Sequence, residues 1–233
     1  YRKDGFLNAS AEIRTRKYED TAQANSNMVN MVVDIDKGER VKVSSIEFTG
    51  NEKMKDKKLR GALKNTKRKN LIRFWKRSKY VPGDFEEDKK KLIDRYKEYG
   101  YRDARILSDT LIKEDEKNVA IKIEVEEGDQ YYIGDINFLG NAAFTDAQLE
   151  RTLGLDKGDV YNGVLMDERV NSREPNKNSI ANTYQNNGYL FSQVDLVETN
   201  VYNDTIDFEV RILEGKETYF DQIRVVGNDK TKD

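Results

Sequence analysis

The sequence predicts an α+β protein made of tandem small modules of order β-α-α-β-β, each a three-stranded sheet with two helices on one face. Three recurring landmarks carry that expectation. An aliphatic–polar–apolar run ending in Gly-Asn occurs at Ile46–Asn51, Ile136–Asn141 and Ile223–Asn228, in steps of 90 and 87 residues. A Tyr-x-x-x-Gly-aromatic motif runs from Tyr1 to Phe6, Tyr96 to Tyr101 and Tyr184 to Tyr189, in steps of 95 and 88. A glycine closes an alternating strand at Gly38, Gly128 and Gly215, in steps of 90 and 87. Fixed order and near-equal spacing make this a true repeat. It implies the C-terminal part of one module at 1–39, complete modules at 40–128 and 129–217, and the opening strand of another at 218–233. The pattern is under way at Tyr1 and unfinished at Asp233, so the chain reads as a fragment of a longer array.

Each element follows from its residues. Val29, Met31, Val33 and Ile35 alternate in the last strand of the first, partial module. Ile46 and Phe48 share one face of the next strand with Glu47 on the other, and Gly50-Asn51 supplies the positive dihedrals of an exit turn. Asp56–Asn65 is expected as a short helix with Leu59 and Leu63 on one face. Asp84-Phe85 should open a second helix whose buried stripe is Leu92, Tyr96 and Tyr99, with Gly100 as the left-handed residue past its end. Strands are expected at 102–112 and 118–126, the latter alternating Val119, Ile121, Ile123 and Val125 with polar residues, the mark of a sheet buried on one face. The next copy places a strand at 130–139, a helix at 146–153, a helical region at about 162–187 broken by Pro175, and a hairpin at 194–200 and 205–213. Tyr101, Tyr189 and Phe191 are expected to plug the layer between helix end and sheet.

Composition narrows the function. Hydrophobic residues make up 36% and charged residues 36%, enough for small cores rather than one deep one. With 41 Lys and Arg against 43 Asp and Glu, the whole molecule is not a basic nucleic-acid binder. Cysteine and histidine are absent, which removes disulfides, thiolate chemistry and the commonest general base and metal ligand. No apolar run approaches the length of a membrane-spanning helix. Asp34/Asp36 and Glu124/Glu126/Glu127 read as solvated faces without the ligand loop of an EF-hand. Lys157-Gly158-Asp159 and Pro82-Gly83-Asp84 lack phosphate-loop spacing and read as turns and caps. No catalytic, cofactor or metal site is expected.

The order of elements, the Gly-Asn exit turn, the Tyr-x-x-x-Gly-Tyr helix end and the closing Glu-Gly together resemble the POTRA repeat over essentially the whole chain. Such strings occur in outer-membrane assembly factors of the BamA type, in TamA-like proteins and in two-partner-secretion transporters, and a tandem array looks most like the BamA type. The resemblance implies a periplasmic, non-enzymatic scaffold attached to the outer membrane of a Gram-negative bacterium and continuous with a membrane β-barrel. Its implied partners are nascent outer-membrane proteins and accessory lipoproteins, and the complete copies would be the third and fourth of five modules. Departures from the plain pattern are the basic, aromatic stretch 64–79 and the interruption at 171–178.

Two surfaces follow as candidates. The last strand of each module is the most regularly apolar and should be central. That leaves the penultimate strand at an edge, where unpaired amides and carbonyls can take up an extended peptide. The residues concerned are Arg105, Ile106, Leu107, Ser108 and Asp109 in one module and Val194 and Leu196 in the other. The competing reading is that Arg102, Asp103, Arg105 and Asp109 only blunt the edge against aggregation. The acid-free run 64–79 offers Arg68, Arg73, Phe74, Trp75, Lys76 and Arg77 to lipid head groups or an acidic partner. The alternatives are a loop whose apolar residues tuck into the module and, more remotely, single-stranded nucleic acid. Gly38, Gly128 and Gly215 mark the expected module junctions.

Overall fold

The computed structural model describes residues 1–17, 29–68, 78–219 and 221–222. They fall into two compact units, Tyr1–Arg95 with Asp103–Glu127, and Tyr96–Arg102 with the residues from Gly128 onward. Among the described residues no helix is long and apolar enough to cross a membrane.

The first unit opens with an antiparallel hairpin of β1 (Ser10–Lys17) and β2 (Val29–Asp36). A complete set follows: β3 (Lys42–Thr49), α1 (Asp56–Ala62), α2 (Pro82–Lys97), β4 (Arg105–Lys113) and β5 (Asn118–Glu126). The sheet order is β3-β5-β4, with β5 central, parallel to β3 and antiparallel to β4. The alternation in β5 explains its place: Val119, Ile121, Ile123 and Val125 are buried while Lys122, Glu124 and Glu126 face outward.

Several boundaries differ from expectation, those of the two helices for local reasons. Helix α1 stops at Ala62 rather than Asn65 because the Asp88 carboxylate accepts the amides of Lys64 (3.0 Å), Asn65 (2.9 Å) and Thr66 (2.5 Å), giving those donors partners outside a further helical turn. Helix α2 begins at Pro82, where a first-turn proline forfeits no hydrogen bond. Its buried side is Phe85, Asp88, Leu92 and Tyr96, whereas Tyr99 lies past the helix end and is 37% exposed. Strand β4 begins at Arg105, so Arg102 and Asp103 sit in the preceding turn, not on an edge.

The second unit repeats the plan with β6 (Tyr132–Leu139), α3 (Asp146–Leu153), α4 (Gly163–Asn171), α5 (Ile180–Asn186), β7 (Gln193–Tyr202) and β8 (Thr205–Leu213), in the order β6-β8-β7. The expected second helix is two helices, α4 and α5, because Pro175 falls in the segment between them and Ser179 starts a new cap by accepting the amide of Asn182. The core gathers Ile133, Phe138, Leu149, Met166, Tyr184 and Phe208. Tyr161 stacks on Phe208 at 5.4 Å, and burial pushes its hydroxyl up to about 12, helped by the nearby Glu198. Tyr189 packs edge-on against Tyr184, as Tyr101 does against Tyr96. Phe191 is 76% exposed and plugs nothing: it sits in a turn closed by the Ser192 amide on the Tyr189 carbonyl at 3.1 Å, and Ser192 is the buried residue there.

The landmarks are structural devices. Gly50 and Gly140 have φ of +79° and +84°, and a Cβ on either would lie 2.0 or 2.1 Å from a central-strand carbonyl, Val125 or Ile212. The next residue, Asn51 or Asn141, donates to a backbone carbonyl, Met54 or Phe144, and to the first helical carboxylate, Asp56 or Asp146. At the Tyr-x-x-x-Gly-aromatic motif, the aromatic amide reaches back to the tyrosine carbonyl at 3.1, 3.1 and 3.0 Å in the three copies. The glycine amide closes on the residue after the tyrosine, which together make a Schellman helix end. Each glycine carbonyl then accepts an amide from the chain approaching the next first strand, Val41, Tyr131 and Thr218, each time inside one compact unit.

Gly140→Ala should destabilise the protein by about 2 kcal/mol or more, since the left-handed backbone and the carbonyl clash add; urea unfolding measures this. The Asp56 carboxyl is held below its ordinary range, chiefly by the Asn51 amide and then by Arg60. A lowered native pKa stabilises above the unfolded value and is lost as pH falls through the folded one. Asp56→Asn should therefore make stability less sensitive to acid below about pH 4, read as a shallower loss in urea midpoints on acidification.

Candidate functional site: the sheet edges

A three-stranded sheet has two edges, and here they are treated differently. On the first-strand side, the connection between helices covers the beginning of the strand. In the first unit the Val43 amide donates to the Ser78 carbonyl at 2.7 Å and Tyr80 donates to Val41 at 2.9 Å. In the second, Ile133 donates to Asp159 at 2.8 Å and Gly158 to Ile133 at 2.7 Å. The penultimate strands β4 and β7 have no such cover: among the described residues each pairs only with its central strand.

The structure places Arg105, Ile106, Leu107, Ser108 and Asp109 together on β4. The register slips between Ile106 and Ser108, so Leu107 is a bulge residue, 51% exposed. A bulge re-aims an edge and shortens the flat stretch that a neighbouring strand can use. Arg105 pairs with Glu126 at 2.6 Å and Ser108 bonds Glu124 at 2.9 Å, across to the central strand. Asp109 meets Lys89 of α2 at 2.8 Å, and Lys89 also pairs with Glu86. Burial opposes the charge on Lys89, but the hydrogen bonds it donates to Asp109 and Glu86 outweigh that and leave its pKa raised. These side chains lie beside the edge and leave its outer backbone groups uncovered.

On β7, Val194 and Leu196 are half-buried and pack on the core, so what they present to the edge is backbone. The bulge here is at Thr199, between Glu198 and Asn200. Glu198 receives both Nε (3.1 Å) and Nη2 of Arg102 within the second unit, a two-point pair. The guanidinium stands 5.7 Å from the Tyr131 ring centre.

Of the basic run, Arg68 is exposed, while Arg73, Phe74, Trp75, Lys76 and Arg77 lie outside the described residues. The run is fixed at both ends, by the Asp88 carboxylate at residues 64–66 and by the β3 edge at residues 78–80. Gly38, Gly128 and Gly215 all have left-handed backbones, with φ of +61°, +68° and +73°. The opening strand expected after Tyr219 falls largely on residues 223–233, outside the described residues.

Sequence reasoning missed the buried carboxylates. Asp88 is 0% exposed. Glu127, expected on a solvated face, is 6% exposed and accepts the amides of Lys53 (2.6 Å) and Met54 (2.9 Å). Glu214 does the same for Ala143 at 2.7 Å and also accepts the Tyr184 hydroxyl at 3.0 Å. Burial and that bond hold the Tyr184 hydroxyl well above its ordinary pKa. The recurrence of Glu immediately before the closing glycine was the available signal. Asp88 has no counterpart in the repeat and gave none.

Fold and edges thus define a tandem array of small α+β modules, each presenting an uncovered edge strand. The family model described as POTRA, surface antigen variable number repeat, matches residues 41–128 and 131–215, and the chain belongs to that family. Outer membrane protein assembly factor BamA of Neisseria meningitidis is 30% identical over 210 residues, 89% of this chain and 26% of that protein. A putative outer membrane protein assembly factor of Treponema pallidum is 26% identical over 205 residues, 85% and 23% of the two chains. The chain spans about a quarter of the length of these curated relatives. A crystal structure of POTRA domains 3–5 of Haemophilus influenzae BamA matches with a TM-score of 0.59 at 22% identity, over 82% of this chain and 73% of that one, a likeness of fold.

Asp88→Ala would strand three amides at the start of the basic run. The expected loss is about 2–4 kcal/mol, with faster hydrogen exchange at Lys64, Asn65 and Thr66 than in the parent protein.

Proposed function

We propose that this chain is part of the periplasmic arm of an outer-membrane protein assembly factor and that it receives unfolded β-rich clients by strand addition at β4 or β7. The observation that carries the reading is the contrast between edges: the first strands are partly covered by backbone pairing from the helix connection, whereas β4 and β7 are uncovered. Main-chain pairing is nearly indifferent to side-chain identity, which suits a receptor for many clients that share only a β-strand pattern. The names of the Neisseria and Treponema relatives, both assembly factors, support the same reading. In it the chain is not an enzyme and continues elsewhere into a membrane β-barrel. Gly38, Gly128 and Gly215 are the points where the chain leaves one module for the next, and accessory lipoproteins dock on the same array. Arg68 and the basic residues 73–77 form a second, electrostatic contact for an acidic partner or lipid head groups.

The bulges and ion pairs at β4 and β7 oppose wide, flat pairing and so restrict what is captured to short segments. That fits transient handover better than permanent assembly, because a short added strand gains few hydrogen bonds against its ordering entropy.

A peptide with the alternating apolar–polar pattern of a membrane β-strand should slow amide exchange at residues 105–109 or 193–196. Ser108→Pro, which removes an amide from β4, should weaken binding where the β4 edge is used. If the peptide binds but protects neither strand, edge capture by β4 and β7 is wrong.

A further inference from the structure

The second unit has another edge that is only half covered. The connection 154–162 pairs with β6 at its beginning, through Tyr131 and Ile133. From Ile136 to Leu139 no backbone hydrogen bond outside the sheet is made among the described residues. Where this stretch begins, at Ile136, lies a cleft of about 290 Å³ between β6, the end of α3 and the connection. Leu155 and Ile136 supply its apolar part, and Asp135, Glu150 and Asp156 line it with carboxylates against one cation, Lys157. Lys157 is already paired with Asp135 at 2.6 Å. The carboxylates of Glu150 and Asp156 make no ion pair or hydrogen bond among the described residues.

Two features show that this lining is not required by the fold. The β6 strand bulges between Ile133 and Ile136, and the bulge is pinned by the Asp207 carboxylate, which accepts the Asp135 amide at 2.9 Å. Gly134 leaves room for this arrangement, since a Cβ would lie 2.0 Å from that carboxylate oxygen as it stands. The first repeat bulges at the same place, between Val43 and Ser45, yet it carries Ser45 where the second has Asp135. Likewise the α1 position matching Glu150 is Arg60, paired with Asp56 one turn earlier. The same backbone therefore tolerates serine and arginine at positions where the second unit has placed two acids.

We propose that this cleft is a docking site for a short, extended, cationic segment of a partner protein, added as a strand along Ile136–Leu139. Its apolar side chains would rest on Leu155 and Ile136, and its Lys or Arg side chains would meet Glu150, Asp156 and Asp135. The charge of the cleft selects this occupant over the neutral, alternating clients assigned to β4 and β7, because an added strand of acidic or uncharged pattern would leave these carboxylates uncompensated. The two sites sit on opposite edges of the second sheet and do not compete for backbone.

The test uses the whole chain and a blocked Lys-Val-Lys-Val-Lys-Val peptide, with a Glu-Val peptide of the same length as the control. Saturable calorimetric binding of the Lys peptide only, with slowed amide exchange at 136–139, is the expected result. Glu150→Arg with Asp135→Ser restores the residues of the first repeat and should weaken that binding by roughly tenfold or more. The substituted helix gains the ion pair that α1 already has, because Asp146 stands one turn before position 150, so thermal melting no lower than that of the parent confirms an intact fold. No binding, equal binding of the Glu peptide, affinity unmoved by the double substitution, or protection confined to β4 and β7 would each overturn the proposal. The last outcome would leave strand capture at β4 and β7 standing by itself.

Discussion

The Gly-Asn turn held against the end of the central strand is the constraint on which each module depends. A strand must turn sharply enough for a short helix to fold back over the sheet that the strand belongs to. Gly50 and Gly140 achieve this by bringing their Cα against the carbonyls of Val125 and Ile212. The chain then has to keep its direction, and the following asparagine fixes it by bonding both the turn and the first helical residue. From the other side, Glu127 and Glu214, which follow the central strand, reach across to the amides of the same turn. First strand, first helix and last strand, which are distant in sequence, are thereby tied at one point. The hydrophobic core below supplies most of the stabilising free energy, but this polar tie selects which arrangement the core adopts.

The same arrangement explains why the first and penultimate strands are left as edges. Putting the last strand in the centre uses both of its sides, so the first and penultimate strands must be the edges. The connection between the helices has to pass the first strand on its way back, and it pairs with that strand as it does so. Nothing in the topology passes the penultimate strand. Its exposure is therefore a consequence of chain order, and bulges with flanking charges are the means left to limit unwanted pairing. A module built this way exposes one strand edge as a consequence of its topology alone.

Much of this was legible in the residues. Alternation in 118–126 and 205–213 identified the central strands, because a strand flanked on both sides and covered on one face must bury every second side chain. Gly100 and Pro175 announced a helix end and a helix break through backbone geometry alone. What escaped was the role of buried charge. Glu127 looks like its neighbours Glu124 and Glu126, and periodicity cannot show that the strand has ended and the next carboxylate has turned inward. Asp88 lies on the apolar side of α2, where a pattern of hydrophobic spacing passes over a polar residue. Tyr99 failed for the converse reason: its spacing fits a helix that has already stopped at Lys97. The edge residues were found from topology, but the bulges at Leu107 and Thr199 depend on register, which is set by pairing across the sheet and has no local signature.

Two copies of one fold in one chain provide an internal standard for separating architecture from function. Where the copies agree, as at Gly50 and Gly140 or Glu127 and Glu214, the geometry shows a structural task that both must perform. Where they differ at matched backbone positions, stability does not dictate the choice. Arg60 and Glu150 occupy the same place on the first helix, each can be accommodated there, and only the surface they present differs. The length of the helix connection differs too, yet it pairs at matching positions, Val41 and Val43 in one copy and Tyr131 and Ile133 in the other. Modules of this kind can therefore keep a common core and a common edge cover while varying the charge beside the edge, so that copies sharing one backbone present different surfaces.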